Sequence, residues 1–476
     1  MRRQYDMNII NRLNPLAVMA VLTLPVLWGV SMVMPVFDDW WYLTTPGDGM
    51  AFTVESLLPQ NQYWRPFDAL FGILLGKWPW LFPELNHLCV VAAHVGCTVL
   101  VYRFMRTMAL SRQALWTGTL FFYMSPAVLG TLLNCDSLNQ AYSALFGLLS
   151  VYVFITAGSR HRHWLYAVMV LIAALWKENG LAWAAATPLF AWMISPESRR
   201  EIRRSIAWCV VICIVYFAAR ASLQVGEIVS QDFIEGRKGS YLKYIATWLS
   251  YSLLPADYIS LMFRPERNWL YIVLTVALSV PFLGVLLWGS RRSIADRRFF
   301  IIVACACITA LPHLVTVFGN MHCYASLPFV ALAVAWLADR NDSKRTLGLL
   351  FTLYLVACAF TGFRHWQMAW RSGMKGQELA GEILKQSHGP ARNVLLLYDD
   401  TPQPGFSTFC TPPIESFGYG EAVRMATGYA WPDNVTGLPM TNGTPVDSTV
   451  QKALGNGYDA VWELCDGKAR VLGERQ

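Results

Sequence analysis

The chain reads as an all-α polytopic membrane protein with about eleven transmembrane helices. Interfacial helices lie in its outer loops, and a small extracytoplasmic α/β domain ends it. Three observations predict this. Of 476 residues 55% are hydrophobic and only 14% charged, against roughly 25% charged in an average soluble domain. Apolar runs near the ~20 residues that a span requires recur along most of the chain. Past residue 363 those runs cease and the composition turns to Gly, Pro, Asp and Thr, which divides the chain into a transmembrane part, 1–363, and a C-terminal domain, 364–476.

The spans are expected at 14–36, 87–107, 113–132, 140–157, 206–220, 269–289, 299–319, 322–338 and 345–363, with a shorter pair inside 164–194 that Lys177-Glu178-Asn179-Gly180 interrupts. The first run follows a basic start, Met1-Arg2-Arg3, but is too long for a cleaved signal and lacks a small-residue cleavage site. It is expected to remain as a span.

Basic residues then set direction. Nineteen of the 38 fall in alternate short connections: Arg2, Arg3 and Arg12; Arg103, Arg106 and Arg112; Arg160 and Arg162; Arg199 to Arg204; Arg291 to Arg298; and Arg340, Lys344 and Arg345. The loops 133–139 and 319–322 hold none. The positive-inside rule puts the N-terminus in the cytoplasm, and eleven spans put the C-terminal domain outside. These short basic groups between apolar runs suit topology and argue against nucleic-acid binding.

The same rule makes 164–194 a hairpin, since one long helix would separate Arg160 from Arg199 across the membrane. Each arm has about 13–16 residues, roughly 20–24 Å against a ~30 Å core. Its tip, Lys177-Glu178, is therefore expected at membrane depth, where ionisable groups need a partner or a wet cavity. A structural ion pair is the plainer reading of those two residues.

Three pieces face outward. The loop 37–86 opens on Phe37-Asp38-Asp39-Trp40-Trp41-Tyr42, two adjacent carboxylates among aromatics, and continues through Tyr63-Trp64-Arg65-Pro66. One carboxylate suits a general base; the pair also suits a helix N-cap, and Arg65-Pro66 a turn. The second piece, 221–268, carries an aromatic segment, Tyr241–Tyr251, expected as an interfacial helix. Arg237, Lys238, Lys243, Arg264 and Arg267 surround it, placed either to hold an anionic lipid phosphate or as solvated surface charge. The third is the C-terminal domain, where 394–398 and 459–464 read as buried strands and 378–384 as a helix. It shows no nucleophile–base pair and no phosphate-binding glycine pattern.

Nine of the 11 cysteines lie in or beside apolar runs and read as small buried hydrophobes. Cys410 and Cys465 face the oxidising side, where a disulfide is open to them. His87 and His94 share one helix face at i and i+7, and His313 and His322 flank an outer turn. Buried histidines of this kind more often complete hydrogen bonds than bind metal.

The acidic pair after the first span, Tyr-x-Arg-Pro at 63–66, Asn86-His87-Leu88 then Ala93-His94, and Lys177-Glu178 at an outer hairpin occur in an order that resembles the GT-C superfamily of polytopic glycosyltransferases. The likeness covers residues 14–340. It is most similar to the protein O-mannosyltransferase-like branch, including bacterial homologues. Two departures stand out. Trp176 occupies the serine position of the branch's Ser-Lys-Glu motif, and His322-Cys323-Tyr324 stands where an Arg-Tyr pair is common.

The resemblance implies a membrane glycosyltransferase that moves a sugar from a polyprenyl-phosphate donor to an extracytoplasmic glycan, lipid or protein hydroxyl; the lack of an obvious eukaryotic sorting signal favours a bacterial inner membrane. Asp38 would act as general base, with Asp39 and Glu178 positioning acceptor or donor. Lys177 and Arg65 would neutralise the departing phosphate, with His87, His94, Arg237, Lys238 and Tyr324 around the donor. It requires no nucleotide and leaves room for a divalent metal (Mg or Mn). Against it stand an O-antigen polymerase or ligase, which would favour arginines in a large outer loop, and a lipid or polysaccharide flippase, which would show paired halves. No internal repeat is visible.

Overall fold

The computed structural model describes residues 14–43, 54–58, 64–158, 161–195, 199–222, 241–255, 269–314, 320–406, 411–440 and 446–475. A helix stands at every expected apolar run. These are α1 (Pro15–Val30), α3 (Glu84–Thr107), α4 (Arg112–Tyr123), α5 (Leu138–Thr156), α6 (Arg162–Trp176), α7 (Trp183–Ile194), α8 (Arg199–Ser222), α10 (Trp269–Gly289), α11 (Arg297–Leu314), α12 (Leu327–Asp339) and α13 (Lys344–Gln386). Two more, α2 (Pro66–Lys77) and α9 (Tyr241–Leu253), occupy the outer pieces. By length and composition six of these helices can each cross a membrane; α1, α6 and α12 are apolar but shorter.

Local chemistry sets the ends. Asn14 accepts the Leu16 amide through Oδ1, and Pro15 takes the first helical position of α1. The run 113–132 is not one helix: α4 stops at Tyr123, because Pro126 biases Ser125 out of the helical region. It resumes as short turns at Pro126–Val128 and Leu129–Leu132.

Hydrogen bonds sort the helix ends into two sets. At one end Arg162 meets Glu201 at 2.6 Å, Ser111 donates its amide to Asp339 (2.7 Å), and Asn341 donates to the carbonyl of Val285 (2.8 Å). At the other, Arg65 meets Glu178, Asn139 meets Asp68, and Asn179 meets His313. Among the described residues, the basic clusters Arg103 to Arg112, Arg199 to Arg204, Arg291 to Arg298 and Arg340 to Arg345, with Arg162, belong to the first set. Along α8 and α10 the outward faces are apolar, with Val210, Ile214, Phe217, Leu270, Val273 and Trp288 exposed. Water would penalise such faces and lipid does not.

The helix α13 is 43 residues long, about 65 Å at helical rise, or twice a hydrocarbon core. It runs unbroken past residue 363, and its last third is a wall of the C-terminal domain. There β1 (Asn393–Tyr398), β2 (Asn434–Pro439), β3 (Ala460–Cys465) and β4 (Lys468–Glu474) form one sheet in the order β2-β1-β3-β4, with β1 parallel to β2 and β3, and β4 antiparallel to β3. Between β1 and β2 lie α14 (Pro413–Phe417) and α15 (Glu421–Ala426); α16 (Val446–Gly455) precedes β3. Leu379, Ile383, Leu396 and Trp462 share a buried cluster with Trp40, Tyr42, Leu43 and Phe82 of the first outer loop. The C-terminal domain and that loop therefore stand on the same side and share one core.

Candidate active site

The acidic stretch folds as a 3-10 turn, Phe37–Tyr42. Three residues per turn separate neighbouring side chains by about 120°, so the two carboxylates part. Asp39 turns inward and is buried. Its Oδ2 accepts the amide of Val36 (3.2 Å) and its Oδ1 the amide of Asp136 (2.9 Å). Burial pushes its pKa up to about 7, against the pull of those two amides; the charges of Asp136 and Asp38 add to the rise. Asp38 is only half-buried.

Arg65 caps α2, whose first helical residue is Pro66. One turn along, Asp68 is buried, accepting from the Tyr42 hydroxyl at 2.7 Å and from Asn139 Nδ2 at 3.0 Å. Burial and the Asp136 charge raise Asp68 to about 6, less than they otherwise would because both donors stabilise the anion. Tyr42 thus ties the acidic turn to the helix that presents Arg65.

At the hairpin tip, α6 ends at Trp176, Lys177 is extended, and Glu178–Ala182 forms a 3-10 turn. Gly180 sits against the backbone of Ala173, where a Cβ would overlap it; the tight reversal requires glycine here. Trp176 is stacked between Phe67 (5.7 Å) and Tyr142 (4.8 Å), which docks the tip onto α2 and α5. Arg65 then grips Glu178 with two nitrogens, Nε at 3.1 Å and Nη2 at 3.0 Å from Oε2. The Lys177 ammonium makes no hydrogen bond or ion pair with the described residues, and lies within the electrostatic reach of Asp136, Glu178, Asp68 and Arg65. Behind it Asn179 Nδ2 donates to His313 Nε2 (2.8 Å), and the His313 and His322 rings stack at 4.4 Å.

The acidic turn and the hairpin tip therefore converge through Asp136, whose amide holds Asp39 and whose carboxylate acts on Lys177 and Arg65. Asp136, Asp68 and Arg220 were not singled out from the sequence. Arg220 is buried at the C-terminal end of α8, with Nη1 3.4 Å from the Tyr216 hydroxyl, and Tyr216 stacks on Trp64 beside Arg65. A lone arginine at the end of a span opposite its Arg199–Arg204 cluster was the available signal; Asp136, at the outer start of a span, was another.

Other expected residues lie elsewhere. His94 is buried between Tyr324, whose hydroxyl is 3.0 Å from Nδ1, and the carbonyl of Tyr123, 3.2 Å from Nε2. Tyr324 is fully buried against it. These two form a bond inside the helix core. His87 packs beneath the acidic turn, its Nε2 3.2 Å from the carbonyl of Val33 and 3.5 Å from Cys135 Sγ. Arg237, Lys238 and Cys410 lie outside the described residues.

Among the described residues no set of three metal-ligand groups gathers at the acidic turn or the hairpin tip. The one such set is in the C-terminal domain, where ligand atoms of Asp399, Cys465 and Asp466 lie within 4.8 Å of one another.

No family model matches the chain, and no curated protein does. The fold is similar to crystal structures of the Archaeoglobus fulgidus oligosaccharyltransferase. One is a complex with Zn and sulfate (TM-score 0.45, 11% identity, 94% of this chain and 68% of that one). The other is tethered through a disulfide to an acceptor peptide containing the NVT sequon (TM-score 0.41, 10% identity, 90% and 64%).

Proposed function

We propose that the chain is an eleven-span glycosyltransferase that moves a sugar from a polyprenyl-phosphate carrier to a hydroxyl on the extracytoplasmic face. The observation that carries this reading is the meeting of the Asp38-Asp39 turn with the Lys177-Glu178 tip at the outer ends of the helices. A cation with no ion-pair partner among the described residues, linked to the acidic turn through Asp136, suits an anionic leaving group, and a carboxylate of that turn suits a hydroxyl nucleophile.

Asp38 is the general base. Its neighbour is buried and amide-bound, whereas Asp38 keeps partial access. It takes the acceptor's hydroxyl proton as that oxygen bonds to the anomeric carbon, while the bond from that carbon to the phosphate oxygen breaks. The lipid phosphate leaves with the electron pair, and Lys177 stabilises the developing charge. Arg65, oriented by Glu178, adds a second positive charge on the side of the leaving phosphate. Asp39 shapes the turn. No step is routed through a metal.

The test uses membranes carrying Asp38→Asn, assayed for release of free polyprenyl phosphate from the glycosylated carrier. A fall of at least 100-fold is expected. Unchanged turnover removes the mechanism.

A further inference from the structure

Phe37, immediately before Asp38, has φ +54°. This left-handed conformation is strained for a bulky residue and persists only where the surroundings over-determine it. Three residues on, Trp40 packs against the C-terminal domain. Trp40 is 2% exposed, and its indole N–H has no hydrogen-bond partner among the described residues. An unmade buried bond is destabilising, so it is packing that keeps the ring in place.

That packing is specific. The indole is 6.4 Å from Phe82 and lies flat over Gly418, where a Cβ would stand 2.5 Å from the ring. Gly418, Tyr419 and Gly420 have φ of +63°, +53° and +106°, three left-handed residues in a row that lay the backbone against the indole. At the far end of the turn, Arg424 Nη1 donates to the carbonyl of Leu43 at 3.4 Å. Gly373 of α13 abuts Met34 in the segment that leads into the turn.

We infer that the Gly418–Gly420 segment is a clamp on the acidic turn: it seats Trp40, and Trp40 holds the turn in the conformation that aims Asp38. Trp40 and Gly418 are positioning residues. The inference rests on the glycosyl-transfer reading, and gives the C-terminal domain a part in the reaction without a catalytic group of its own.

The experiment uses the full chain in nanodiscs, supplied with the donor and acceptor fractions of its own membranes. Trp40→Leu and Gly418→Ala should lower kcat tenfold or more with the donor KM within twofold, and speed amide exchange over residues 37–43. Trp40→Phe should restore at least half of kcat. Wild-type kcat in Trp40→Leu and Gly418→Ala overturns the clamp, as does an equal loss in Trp40→Phe and Trp40→Leu. Should either variant fail to elute as a folded monodisperse protein, Arg424→Ala carries the test from the surface: a threefold loss of kcat is expected, and none overturns the proposal. Asp38→Asn separates the two readings. Full turnover there sinks the transfer mechanism, whereas loss there with wild-type kcat in the Trp40 and Gly418 variants sinks the clamp alone.

Discussion

Arg65 and Glu178 lie 113 positions apart in the chain and 3.0 Å apart in the fold. One comes from the loop after the first span and the other from the tip of a short hairpin. Their contact joins two outer segments that no local pattern connects, and it orients the guanidinium beside Lys177.

The pair is mostly buried, with side chains 24% and 17% exposed. Glu178→Gln removes the nearest counter-charge of a mostly buried guanidinium, so it should cost about 3 kcal/mol of unfolding free energy. Replacing both, as Arg65→Met with Glu178→Leu, should recover most of that loss. A double-mutant cycle in detergent checks it; additive losses would show that the two side chains do not cooperate.

Lys177 is expected to act on the donor rather than on the fold. A charge-assisted bond to phosphate is worth about 1.5–3 kcal/mol, so Lys177→Ala should weaken donor binding by about 10- to 100-fold. Lys177→Arg should keep part of it. The melting temperature of both should stay near that of the parent. Steady-state kinetics with varied donor reads this directly.

Asp39 gives the chain a pH dependence of definite sign. Its ordinary value of 3.8 rises to about 7 in the fold, chiefly by burial, and Asp68 rises to about 6 for the same cause. Between the unfolded and folded values the native chain holds more protons than the unfolded one, so stability falls as pH rises from about 4 to 7. Thermal unfolding across that range should show the fall, and Asp39→Asn should flatten it. A stability that climbs through the same window contradicts the burial of Asp39 as a carboxyl group.

His94 and Tyr324 should behave as core residues. Tyr324→Phe removes the hydroxyl 3.0 Å from a buried imidazole, at about 1–2 kcal/mol, and should leave the donor KM unchanged. A KM shift of tenfold in a variant of normal stability would return these residues to the site.

Hydropathy and the spacing of arginines determined a great deal without help. They located the helices, the short hairpin with its charged tip, the aromatic helix at 241–253, and two of the four strands. These are local properties: a run of apolar residues or a cluster of charges reads the same whatever it packs against. The edge strands β2 and β4 were illegible because neither carries a continuous buried apolar run, with Gly437 and Pro439 in one and Lys468, Arg470 and Glu474 in the other. The break of α4 before Pro126 was written in the chain but masked by the apolar residues around it.

Tertiary structure alone decided which charges meet. It chose Asp39 for burial and left Asp38 accessible, paired Arg65 with Glu178, and brought in Asp68, Asp136 and Arg220. It withdrew His94 and Tyr324 into the core, and laid the C-terminal domain on the acidic turn through Trp40 and Gly418. The reason is physical. The worth of a charge or a ring depends on its dielectric surroundings and on partners a hundred or more residues away, and neither is a property of the neighbouring sequence.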